Sequence, residues 1–269
     1  MKKLILLAIL ILTSSPAFAA DHCCRVSTFS DKEIGERQRL VANRPVGERI
    51  AFWAGNFVGF PYDTDPLGRY VRKKKIVTDH KMDCMYLVFR SVELALSKTP
   101  EGAVKEALYL RFRNKGRLDG YGNVMNYDDR FQYAEDMIAS GKWGRDITAK
   151  IAPTKEIPGS RGYKIVRYIP KAELMEKKYY SRLESGDIIY FIKDPKKRVV
   201  GEIVGHLGII SREASLGGTT VYVINASGTK TPATARGRST SCGGGYVKKV
   251  PLTDYLSKTG FIGAKFTRF

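Results

Sequence analysis

Histidine is nearly absent from this 269-residue chain, with His22, His80 and His206 the whole supply. Cys23 and Cys24 follow His22, yet no second ligand pair stands at zinc-like spacing, so a metal clip there has no partner in the sequence. Asp79, His80, Asp83 and Cys84 form the one other local set that could ligate a metal. Cysteine is also scarce, at four residues, which excludes a disulfide-dense scaffold; a chain of this length can bury a core without bridges. Acidic side chains are few, 27 against 46 Lys and Arg, and the formal charge of +19 makes an anionic polymer the natural partner. After residue 20 no apolar run is long enough to cross a bilayer, and internal repeats and low-complexity segments are missing.

What is present begins with "MKKLILLAILILTSSPAFAA", a basic start, an apolar stretch and a small-residue A-F-A site, the pattern of a cleavable secretory signal. Ala20 and Asp21 stand three places before Cys23 and Cys24, where a lipid-anchoring signal needs an aliphatic residue. The expected product is periplasmic or secreted, without stable membrane insertion. Outside the cytoplasm, wall polymers and acidic lipids come ahead of nucleic acid as partners for the positive charge. In that oxidising setting Cys23 or Cys24 is expected to pair with Cys242. The basic runs Arg72–Lys75 and Lys196–Arg198 read most simply as solvated loops.

The chain changes character near residue 150, and strand patterns take over after residue 160. Residues 1–20 are the signal, 21–160 a mainly helical part, and 161–269 a strand-rich part, the last two expected to form one catalytic unit. "SDKEIGERQRLVAN" opens with a Ser30–Glu33 capping box. "PVGERIAFWAGNFVGF" has Pro45 as a first-turn residue. A third helix is expected over Asp83 to Lys98, and "EGAVKEALYLRFRNKG" and "DDRFQYAEDMIASG" each predict a helix running to a glycine stop. Then "GYKIVRYI", "GDIIYFI", "EIVGHLGIISR", "TTVYVIN", "GYVKKV" and "FIGAKFTRF" predict strands. Helices first and strands afterwards predict an α+β architecture with an antiparallel sheet.

Cys84 follows Asp83 at the start of an apolar-periodic run, "DCMYLVFRSVELALS". With Asp83 at the N-cap, the thiol lies in the first helical turn, where unpaired N–H groups favour an anion and lower its pKa. The terminus supplies about 0.3–2 kcal/mol, so a histidine partner is still needed for a reactive thiol. The plainer alternative is a small buried cysteine on the apolar face. His22 adjoins the cleavage site, and His80 lies four residues before Cys84. His206 falls inside the β run "IVGHLGII", where an imidazole needs a hydrogen-bond partner or serves as a core histidine. One strand later, Asn225 in "VYVINASG" can accept from the ring N–H and set its tautomer.

Taken in order, "ERIAFWAGNFVGFPY", "MDC", "DDRFQYAEDMI…DIT", "SGDIIYFI", "GHLGII" and "INAS" resemble the N-acetylmuramoyl-L-alanine amidase-like branch of the NlpC-type cell-wall cysteine hydrolases. The resemblance spans roughly residues 45 to 268. It implies a papain-like fold, with an antiparallel sheet packed on the nucleophile helix, plus a mainly helical N-terminal part and insertion. It implies Cys84 as nucleophile, His206 as general base and Asn225 as the group orienting the imidazole. Tyr62 and Asp83, beside the nucleophile, would bind substrate together with Arg130 and Tyr133 in the groove. Two departures stand out: Asn225 occupies a place where the family commonly has histidine, and Gln132 stands where it has histidine before the groove tyrosine. The implied substrate is peptidoglycan or muropeptides, cleaved at the muramoyl–L-alanine amide or within the stem peptide, with no metal or organic cofactor. An acyltransferase with the same triad and a non-catalytic wall-binding module remain alternatives.

Overall fold

A computed structural model describes residues 28–215, 218–228 and 244–269. His22, Cys23, Cys24 and Cys242, and so the expected disulfide, lie outside the described residues.

The first helix, α1 (Asp31–Val41), starts as its sequence dictates. The Ser30 hydroxyl accepts from the Glu33 N–H at 3.3 Å, and the Glu33 carboxylate accepts from the Ser30 N–H at 2.8 Å. In α2 (Val46–Asn56) Pro45 is the N-cap, one place earlier than expected. A single turn, α3 (Arg69–Arg72), precedes the central helix α4 (Cys84–Leu96), of which Tyr86 to Ala95 are all buried. The next helix, α5 (Pro100–Leu110), stops short of Gly116. Its continuation is overridden because the Arg111 side chain turns inward to Glu93 and its carbonyl accepts from the Phe131 N–H at 2.9 Å. The helix expected over "DDRFQYAEDMIASG" is likewise shorter: Tyr127–Asp129 form a 3-10 turn, Phe112 bridges to Arg130, and only α6 (Ala134–Ser140) is α-helical, ending at left-handed Gly141.

Then come β1 (Arg145–Asp146), α7 (Thr148–Ile151), β2 (Lys155–Pro158), β3 (Ile165–Pro170), α8 (Lys171–Met175), β4 (Ile188–Ile192), β5 (Val204–Ser215), β6 (Gly218–Gly228), β7 (Gly245–Pro251), α9 (Leu252–Lys258) and β8 (Gly263–Arg268). The six expected strands are all present, joined by the short β1 and β2. They form one antiparallel sheet in the order β2-β3-β8-β4-β5-β6-β7, with β1 also on β8. The chain is thus α+β, with N-terminal helices and an antiparallel sheet.

The period-2 alternation of the strands separates two apolar layers. Ile188, Tyr190, Ile192, Leu207, Ile209 and Ile224 face α4 and α2, while Ile189, Phe191, Ile210 and Val223 face α9, α8 and α7. Each such side chain contributes about 1.5–3 kcal/mol by leaving water, which is what holds α4 against the sheet.

One face of α4 carries charge instead. Arg90 donates to Asp79 at 2.8 and 3.0 Å and to Glu93 at 3.3 Å, while Arg111 donates to Glu93 at 2.5 and 2.7 Å and to the Ile76 carbonyl at 2.8 Å. The Tyr86 hydroxyl donates to Asp79 at 2.7 Å. All four charged side chains are buried, and two carboxylates balance two guanidiniums. Rings of Tyr70, Tyr86 and Phe89 pack on the Arg111 guanidinium. The network pins the segment 76–79, which leads directly into Cys84. Because it occupies Asp79, the local set around His80 does not assemble as a metal site; no group of three metal-binding side chains occurs among the described residues.

Candidate active site

Cys84 is the first residue of α4, and its N-cap is Asp83, whose carboxylate accepts from the Tyr86 N–H at 2.7 Å. The approach to the cap is strapped down. The Tyr62 N–H donates to Gly245 of β7 at 2.9 Å, the Met82 N–H donates to Pro61, and the Asp63 N–H donates to Met82. Tyr62 is thereby wedged between the sheet and the residue two before the thiol. Gly59, at φ 90°, makes the turn that permits this. Cys84 is half-buried and not in a disulfide.

The base strand is shaped by two glycines. The β4–β5 register shifts between Phe191 and Ile192, opposite Gly205, so β5 carries an irregularity immediately before His206. A Cβ at Gly205 would meet Lys193 and Phe261 at 2.5 and 2.9 Å. Gly208 lies beyond the last pair of the β5–β6 ladder, Ile209 with Ile224, and a Cβ there would meet Val223 at 2.5 Å. Its bareness leaves room for Asn225 to reach along the sheet face to His206. The His206 Nε2 stands 3.2 Å from Asn225 Oδ1. An amide oxygen can only accept, so with this orientation the proton sits on Nε2 and the lone pair on Nδ1. Asn225 is buried, and its Nδ2 has no partner among the described residues.

Three rings enclose the imidazole, which sequence reasoning missed. Phe191, Tyr255 and Phe261 stack on His206 at centroid distances of 6.1, 5.9 and 6.3 Å. Their signal was faint, since "DYLSKTGF" reads as an ordinary amphipathic turn. Tyr255 also links the two halves of the site: burial first, and then proximity to Cys84, raise the pKa of its hydroxyl. On the other side, the backbone N–H of Leu207, next to His206, favours a charged Cys84 sulfur. Among the described residues no hydrogen bond joins that sulfur to the imidazole.

The electrostatics reverse one expectation. Burial pushes the Cys84 thiol up to about 12, the Asp83 carboxylate adds to the rise, and the N–H groups of Leu207, Cys84 and Met85 pull the other way without overcoming it. The helix terminus does not lower this pKa, because desolvation outweighs it and the capping carboxylate stands on the terminus. Burial lowers His206 to about 4, opposed by its bond to Asn225. Burial also raises Asp83 to about 6, opposed by the Tyr86 N–H, with Asp63 adding to the rise. Tyr62 is pushed to about 12 by burial and then by Cys84, Asp83 and Asp63, so it keeps its proton and remains a donor. At neutral pH the site holds a neutral thiol and a neutral imidazole.

Arg130 and Tyr133 are held by partners of their own. Arg130 donates to the Tyr127 carbonyl at 2.9 Å, and Tyr133 lies under the Arg161 guanidinium at 3.3 Å. Among the described residues neither makes a hydrogen bond or ring contact with Cys84, His206 or Asn225. Tyr133 is nonetheless tied toward the base strand, since Glu135 two residues on accepts from the Ile203 and Val204 N–H groups at 3.2 and 3.3 Å. A cavity of about 850 Å³ lined by Gly47, Ser185 and Arg212 borders the other end of β5, away from the thiol.

An N-acetylmuramoyl-L-alanine amidase from Bacteroides uniformis superposes with a TM-score of 0.58 at 19% identity, over 83% of this chain and 98% of that one. These likenesses establish a shared fold. A Legionella pneumophila protein of the DUF1460 family aligns with a TM-score of 0.61 at 16% identity, over 88% and 93% of the two chains. A Bacteroides fragilis structure described as a candidate xylanase aligns at 0.56 and 19% identity, over 81% and 100%. No family profile and no curated protein matches the sequence.

Proposed function

We propose that this chain is an exported, papain-like (NlpC-type) cysteine amidohydrolase acting on peptidoglycan, with the amide between N-acetylmuramic acid and L-alanine as its bond. The observation that carries the proposal is the His206–Asn225 pair at 3.2 Å on adjacent strands, together with an unbridged thiol at the N-terminus of the central helix. The shared fold with the Bacteroides uniformis amidase supports the choice of substrate.

Because thiol and imidazole both rest neutral, the proton moves as the bond forms: Cys84 Sγ attacks the carbonyl while His206 Nδ1 takes the thiol proton. Asn225 Oδ1 holds Nε2–H throughout and so keeps Nδ1 turned to the reaction. The Cys84 N–H and the protonated Tyr62 hydroxyl are the donors for the oxyanion; losing one such donor typically costs about 2.7–4 kcal/mol. The imidazolium then protonates the departing amine. A water deprotonated by the same ring releases the acid from the thioester. Asp63 and Asp83 are engaged by backbone N–H groups of Asp65, Arg69 and Tyr86, a poor basis for the acid–base carboxylate pair of a glycosidase.

Mass spectrometry of sacculi digested with wild type, Cys84→Ala and His206→Ala tests this. Free stem peptides beginning with L-alanine are expected from wild type alone. Cleavage within the stem reassigns the bond, transfer to added amines makes the chain an acyltransferase, and release that survives Cys84→Ala overturns nucleophilic catalysis at this thiol.

A further inference from the structure

We propose that the hairpin of residues 117–125, together with Lys73 and Lys74, is a docking surface for an anionic phospholipid bilayer. The hairpin is closed by a Leu118–Val124 bridge and by the Met125 N–H donating to Arg117 at 2.9 Å. This register sets Arg117 and Met125 side by side on one face, with Tyr121 at the tip. The tip is rigid: the Asp119 carboxylate accepts from the Tyr121 and Asn123 N–H groups, both at 2.8 Å. The Val124 N–H donates to the Lys74 carbonyl at 2.7 Å, and Lys75 Nζ donates to the Tyr121 carbonyl at 3.2 Å, so the basic run lies alongside the hairpin.

The composition of this surface is unlike that of an ordinary solvated loop. Tyr121 is 88% exposed and Met125 62%, although buried Val124 lies between them in sequence. Around them Lys73, Lys74, Lys115 and Arg117 are all exposed. Three carboxylates, Asp119, Asp128 and Asp129, stand against the five cations Lys73, Lys74, Lys75, Lys115 and Arg117, so the surface keeps a positive surplus. An aromatic at a stiff tip and a thioether at its base, ringed by long cations, match a bilayer interface, with the Tyr121 ring among headgroups and the cations on phosphates. The Tyr121 hydroxyl suits a wall glycan as well as a bilayer, whereas the exposed Met125 thioether beside Arg117, which offers no hydrogen bond, suits the bilayer.

The test is co-sedimentation of the full chain with mixed phosphatidylglycerol–phosphatidylethanolamine vesicles, with phosphatidylcholine vesicles and with purified sacculi. Salt-sensitive binding to the anionic vesicles is expected, with Lys73→Glu/Arg117→Glu weakening it by at least about tenfold. Tyr121→Ser/Met125→Ser is expected to weaken it at unchanged charge. Lys196→Glu/Lys197→Glu, which alters the same net charge elsewhere, is expected to bind as wild type, and Cys84→Ala likewise, which separates this surface from the proposed hydrolysis. Equal binding by the hairpin variants, equal loss in the Lys196/Lys197 variant, or hairpin-dependent binding to sacculi without vesicle binding would each overturn the proposal.

Discussion

Cys84 is one residue whose sequence setting and tertiary setting pull in opposite directions. Its place at a helix N-terminus favours the thiolate, yet burial and the Asp83 cap favour the thiol, and burial is the larger effect. The proposed catalyst therefore works through base-assisted attack, which gives a pH signature. Activity should require neutral His206 and so persist into acid, falling only as pH drops toward about 4; a pH–rate profile with an acid limb near 6.5 would contradict the buried base. Stability carries the same linkage. His206 is depressed below its unfolded pKa of 6.5, so the unfolded chain binds a proton that the folded one refuses, and stability falls as pH drops from about 6.5 to 4. Asp83 acts with the opposite sign: its folded pKa of about 6 exceeds the unfolded 3.8, so its burial penalty appears as pH rises through that window. Asp83→Asn should remove that penalty, worth about 1–3 kcal/mol and opposed in wild type by His206, so on going from pH 4.5 to pH 7 chemical denaturation is expected to show the variant's stability changing more favourably than that of wild type.

At the scale of elements, α4 does two jobs with two faces. Its apolar face binds the sheet, and its charged face holds segment 76–79 through Arg90, Glu93, Asp79 and Arg111. Removing one partner leaves a buried charge uncompensated. Arg111→Met is thus expected to lower stability by about 3–5 kcal/mol, read as a shift in urea midpoint, and Glu93→Gln combined with it should cost less than the sum of the two single changes. The strands make a different demand. Gly208→Ala forces a methyl into Val223 and the Ile224 carbonyl. It is expected to cost about 1–3 kcal/mol and to lower kcat more than it raises KM, because the displaced part of β6 carries Asn225 rather than a substrate contact. Helix ends illustrate what local signals can and cannot do: Ser30 and Asp83 cap where their side chains say they should, whereas α5 stops at Leu110 because Arg111 has a partner 18 positions earlier in the chain.

For the whole molecule, the +19 charge acts at a distance from the chemistry. It predicts that association with anionic sacculi weakens as salt rises, which binding at increasing ionic strength checks, with the slope reporting the number of phosphates or carboxylates neutralised. No helix among the described residues is long and apolar enough to cross a membrane. The contact proposed for the hairpin around Tyr121 lies at the bilayer surface.

Periodicity, caps and glycine stops are local properties, and they carried the α+β class, the six strands and the start of α4 in the sequence alone. The pairing of His206 with Asn225 was legible for the same reason: two residue types able to share a proton stood on consecutive strands. Tertiary structure alone decided which way each pKa moves, because desolvation depends on every atom that displaces water from a group. It alone also assembled the rings of Phe191, Tyr255 and Phe261 around the imidazole, since their meeting depends on how α9 and β4 pack and leaves no regular spacing along the chain.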